Sequence, residues 1–192
     1  MRPETSRRLL AGGIVGPVAF AGAWVWGSLT TDGYSMVGQP ISRLAALGAP
    51  SRPVMTAGLL VFAGGLGAYA AALRADVPGR AWVAAAVSAA GSVGIAATPL
   101  DGRFGGNGHA TAAGIAYASL VALQLTGAAP LAERTGRAGV VPISRAMAAV
   151  SAACLAGNAF GPESITGLFQ RVGLTTGHAW IVASAIALRR RR

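Results

Sequence analysis

The chain has 192 residues, a length that suits one domain. Hydrophobic residues make up 53% and charged residues 11%, against about 25% charge in an ordinary soluble domain, and this balance excludes both a water-soluble globule and a disordered chain. The net charge of +10 rests on sixteen scattered arginines with few aromatics, which is no footprint for nucleic acid, and the single Cys154 excludes a disulfide framework or a Cys-rich metal site.

What remains is an all-α, polytopic membrane protein, read as one domain over 1–192. A bilayer core of about 30 Å needs roughly 20 apolar residues per helix. Six stretches meet that length or come near it: 9–29, 54–73, 81–100, 109–131, 143–160 and 168–188. Arg145 and Arg171 fall near the ends of the fifth and sixth, where a long side chain reaches the interface. The run at 9–29 is longer than the apolar part of a signal peptide, and five more runs follow it, so it reads as a retained helix. In the first loop, Pro40 can open a helix and Gly48 can close one. Ile41, Leu44 and Leu47 then share a face, so 40–47 reads as a short helix on the outer membrane surface.

Six spans put twelve arginines on the side of the two termini and four, Arg43, Arg52, Arg103 and Arg171, on the other. The positive-inside rule then places both termini in the cytoplasm of a multi-pass cell-membrane protein. Gly12/Gly16, Gly157/Gly161 and Gly173/Gly177 are spaced for close helix packing, either within the chain or across a homodimer.

The distinctive polar residues fall in the outer loops and outer halves of the helices. They include Ser42, Arg43, Asp101, His109, Asn158, Glu163, Gln170, Arg171 and His178. His178 lies ten residues before Leu188, roughly 15 Å from the inner end at 1.5 Å per residue. Ionisable groups at such depth face the bundle interior and find partners. Arg171 is expected to meet Asp101 or Glu163, and Asp101, His109, Arg171 and His178 are expected to converge in one pocket. Asp101, His109 and His178 are the candidates for acid–base work. Ser42, Arg43, Asn158, Glu163, Gln170 and Arg171 are the candidates for binding, with arginine suited to phosphate or carboxylate. Metal spacing is absent: there is no His-x-x-x-His pair and no Glu beside either histidine. No phosphate loop or Gly-x-Ser-x-Gly elbow is present, and no cofactor is expected.

Three motifs carry a resemblance. They are Gly33-Tyr34-Ser35 with Pro40-Ile41-Ser42-Arg43-Leu44 and Leu47-Gly48-Ala49-Pro50; Thr98-Pro99-Leu100-Asp101 ahead of His109; and Gly167-Leu168-Phe169-Gln170-Arg171 leading to Trp180. In order and spacing the chain resembles the prokaryotic membrane family known as domain of unknown function 998. It departs at Gln39, where an acidic residue is expected, and at Arg43, where an acidic or neutral one is common. The resemblance implies a six-helix membrane bundle and no established activity. The reading is a polar pocket on the extracytoplasmic half that binds or processes a lipid or small amphiphile. The alternative is a small-solute permease, or a membrane-protein scaffold whose polar network is structural.

Overall fold

Apolar runs without strand alternation can satisfy their backbone only within helices, and helices are what the computed structural model contains. It describes residues 2–190, and among these there are six α-helices and no strand. They are α1 (Pro3–Thr30), α2 (Arg52–Asp76), α3 (Ala81–Ala97), α4 (Gly105–Thr135), α5 (Val140–Phe160) and α6 (Thr166–Arg190). Arg191 and Arg192, two of the twelve arginines on the terminal side, lie outside the described residues.

Helix ends follow local chemistry. α3 stops at Ala97 because Thr98 precedes Pro99, and a residue before proline avoids the α region. α4 closes on Gly136 at φ 62, with Gly136 N–H bonded to Glu133 C=O and Arg137 N–H to Ala132 C=O. That pair of bonds is a Schellman cap. The Gly-rich stretch before His109 is helical from Gly105 onward, so α4 begins earlier than the apolar run at 109–131 implies. At 31 residues it is about 46 Å long, more than a bilayer core needs.

The short helix expected over 40–47 is instead a 3-10 turn, Ile41–Ala45. It packs on α1, α2 and α6. Ile41 and Leu44 are buried in the bundle, while Leu47 is exposed. Ala46 is extended and Gly48 has φ 83, so nothing propagates the turn into a helix.

Each helix packs on its successor, and α6 also packs on α1 and α4, closing the set into a ring with α6 as its hub. Leu10, Leu66, Tyr69, Leu73 and Ile181 are among the most completely buried side chains of the core. α1 and α2 approach through bare backbone. A Cβ on Gly12 would lie 2.4 Å from the Gly65 carbonyl oxygen, and one on Gly65 would lie 2.5 Å from that of Gly12. The other glycine pairs also serve contacts within the chain: Gly157 and Gly161 lie under the Phe169 ring, and Gly173 and Gly177 face Cys154 and Leu120.

Polar pins cross the bundle. Tyr69 Oη and Ser184 Oγ are 2.7 Å apart, Trp180 Nε1 donates to Ser144 Oγ at 2.8 Å, and Ser6 Oγ bonds Asp76. The outer surface is apolar instead, with Val18 60% and Ile143 61% exposed. α1, α2, α4 and α5 are each long and apolar enough to cross a membrane, and α3 is a shorter apolar helix. These helices fit a multi-pass membrane protein. α6 is less apolar because it carries Gln170, Arg171, His178 and Ser184 into the interior.

Candidate functional site

The first loop is tied down from α6. Gln170 Oε1 accepts the Ile41 N–H at 2.5 Å, and its Nε2 donates to Tyr117 Oη at 2.8 Å. One turn of the Gln170–Arg171 pair therefore fixes both the loop and α4. Arg171 is 8% exposed and has no carboxylate within ion-pair reach among the described residues. It meets carbonyls in place of the acid expected from the sequence. Its Nη1 donates to the oxygens of Met36 (2.7 Å), Gln39 (3.0 Å) and Gly167 (3.0 Å). Its Nη2 donates to Tyr34 Oη at 2.5 Å. The guanidinium also stacks near Trp24 and Tyr34, 5.3 and 5.5 Å from the ring centres. Burial raises the Tyr34 phenol above its ordinary pKa, while the Arg171 hydrogen bond and charge oppose that rise. The neutral phenol donates its own O–H in hydrogen bonds to the carbonyls of Gln39 and Pro40, each 3.0 Å away.

Below this strap lies a cavity of about 50 Å³, walled by α1, α2, α3, α4, α6 and the 3-10 turn. On the order of three waters would fill it. Its wall is largely apolar, including Phe20, Met55, Leu59, Phe62 and Leu174. Ser88 and Ser92 also line it, but both hydroxyls donate to backbone carbonyls, those of Ala116 and Ser88. His178 reaches in between Phe20 and Phe62, whose ring centres are 5.9 and 4.6 Å away. Its Nε2 is buried without a hydrogen-bond partner.

His109 lines the same cavity from α4. Its Nδ1 lies 2.7 Å from the Thr98 carbonyl oxygen. A carbonyl only accepts, so Nδ1 carries the proton, and in the neutral ring Nε2 holds a bare lone pair. That nitrogen is suited to accept a hydrogen bond or a proton.

A groove of about 530 Å³ runs beside the cavity between α4 and α5. Ser42, His109, Tyr117 and Gln170 line both spaces and form the wall between them. Asn158 lines the groove from α5, and its Oδ1 is buried without a partner. Thr166 adds a hydroxyl, which donates to the Pro162 carbonyl, and most of the remaining wall is small or apolar, with Ala113, Gly114, Ala118 and Leu155 among it.

The candidate residues thus divide. Ser42, His109, Gln170 and His178 meet at the cavity, and Asn158 joins them from the groove. Arg171 is next to Gln170 but turns to the loop. Asp101, Arg43 and Glu163 are exposed and line neither space. Among the described residues no three His, Cys, Asp or Glu side chains cluster as ligands for a metal. Tyr117 and Gln124 were not singled out by the sequence. Gln124 donates to Ser151 Oγ at 3.2 Å deeper in the bundle. Their signal is a stripe on α4, since His109, Ala113, Tyr117 and Gln124 share one face at helical spacing.

A helical bundle with a largely apolar cavity beneath its first loop is the class this geometry defines. The chain belongs to the family described as protein of unknown function (DUF998), whose model matches residues 14–187. No curated protein and no solved structure matches it.

Proposed function

We propose that the chain crosses the membrane six times with both ends in the cytoplasm, and that the cavity and groove of the far half bind a lipid or small amphiphile. The observation carrying the second part is the shared wall. An apolar cavity and an apolar groove meet at Ser42, His109, Tyr117 and Gln170. Such a site takes a molecule with a polar group at the wall and a chain along the groove. The bare His109 Nε2 and the unpartnered Asn158 Oδ1 are both acceptors, so the ligand's polar end carries a donor such as a hydroxyl or amide. His178 lies at the apolar end.

Gly114 offers a direct test. It lies on the groove, and a Cβ there would meet nothing within 4 Å. Gly114→Leu fills the groove without disturbing the helices, since leucine is the better helix former. Wild-type protein is expected to release an amphiphile on organic extraction, read by mass spectrometry, and Gly114→Leu to release little at unchanged melting temperature. Equal yields from both would overturn the reading.

Topology rests on the twelve arginines at the terminal end against four at the other. In a Cys154→Ser background, an impermeant maleimide added to intact cells is expected to label Asp32→Cys and not Thr5→Cys. Both positions are exposed. Labelling at position 5 would refute the orientation.

A further inference from the structure

A second cleft opens at the opposite end, where the C-terminal ends of α4 and α6 meet the start of α5. It consists of two adjoining spaces of about 500 and 200 Å³ that share Thr135, Arg137, Ala183 and Ala187. Arg137 and Arg190 stand at the outer one. The inner one runs along Val140, Ile143, Met147 and Trp180. Among the described residues no acidic side chain lines either space. Arg137 and Arg190 are exposed, and neither enters an ion pair among the described residues.

The charge balance decides what this cleft attracts. The C-terminal ends of α4 and α6 each present about half a negative charge, and the N-terminus of α5 about half a positive one. The helix ends therefore sum to a slight repulsion of anions, which two full guanidinium charges reverse. Guanidinium groups match phosphate with paired N–H donors. The apolar floor requires a chain attached to that anion. Ile143 is 61% exposed on the edge of this floor, as a contact for hydrocarbon would be.

We propose that this cleft binds an anionic phospholipid, with its phosphate between Arg137 and Arg190 and one acyl chain along Val140, Ile143, Met147 and Trp180. Basic pockets between helices at the cytoplasmic face hold anionic headgroups in this way. The site shares no residue with the cavity and groove of the other half.

The test uses the full chain in detergent, titrated with phosphatidylglycerol and with phosphatidylcholine of the same acyl chains and read by native mass spectrometry. Phosphatidylglycerol is expected to bind about tenfold tighter. The Arg137→Gln/Arg190→Gln double variant is expected to lose that preference, with phosphatidylcholine binding unchanged. Ala183→Trp, which fills the cleft, is expected to weaken both lipids, whereas Gly114→Leu keeps the preference. Glycerol phosphate, which lacks chains, is expected not to compete. Equal affinity for the two lipids in the wild type would overturn the proposal, and so would an undiminished preference in the double variant. Competition by glycerol phosphate at lipid concentrations would also overturn it, by showing a site for phosphate alone. Should the double variant fail to fold, the wild-type preference and Ala183→Trp decide.

Discussion

Arg171→Met is expected to lower the melting temperature by roughly 5–15 °C and to open residues 31–51 to protease. Two effects compete at this position. A buried guanidinium without a counter-ion costs several kcal/mol of desolvation, by rough estimate, and methionine removes that cost. Against it stand donations to Met36, Gln39, Gly167 and Tyr34 and the stacking on Trp24 and Tyr34. Charge-assisted hydrogen bonds contribute about 1.5–3 kcal/mol each, so their sum exceeds the relief. Met36 and Gln39 are exposed, and their carbonyls regain water in the variant, which holds the net loss to about 2–4 kcal/mol. Arg171→Lys is expected to fall between, because one ammonium cannot reach Met36, Gln39 and Tyr34 together. An unchanged melting temperature with the loop still protected would show that the strap is held by Gln170 and by burial of Ile41 and Leu44.

Gly65→Ala is expected to destabilise by about 1–3 kcal/mol, or roughly 2–12 °C, whereas Gly64→Ala is neutral or slightly stabilising. The two glycines are neighbours on α2, so helix propensity is the same for both and favours alanine by about 0.5–1 kcal/mol. Their surroundings differ. A Cβ on Gly65 meets the Gly12 carbonyl oxygen at 2.5 Å and Gly16 Cα at 3.0 Å, and one on Gly64 meets nothing within 4 Å. The obstruction at Gly65 is backbone, which cannot rotate away, so α1 and α2 must separate. Thermal melts of the two variants side by side check this, and equal melting temperatures would contradict the close crossing.

The helices were legible because a long apolar run has one fold available. Their ends were less so, since the signals there are local. The Thr98-Pro99 pair stops α3 before the apolar run ends, and the glycines at 105–108 extend α4 where composition suggests a loop. The 3-10 turn at Ile41–Ala45 takes its direction from the interior: Gln170 captures Ile41 and the bundle buries Leu44, and neither contact is readable from residues 40–47.

Within the site, burial was legible and partnership was not. His178 is interior, as its distance from the end of α6 implies. Arg171 pairs with the loop after α1 because α6 packs on α1, while Asp101 belongs to the loop joining α3 and α4. Which helices adjoin is a property of the ring, and one sequence carries no record of it. The role of Tyr117 was hidden for the same reason. Its hydroxyl matters only because Gln170 faces it across the α4–α6 seam.

The most direct test of the proposed amphiphile site is photolabelling with a fatty acid bearing a diazirine at mid-chain, followed by peptide mapping. Label is expected to concentrate on 113–118 of α4 and 155–159 of α5, and to be lost from both segments in Gly114→Leu. Label spread over outward residues such as Val18 and Leu125, and unchanged in Gly114→Leu, would contradict it.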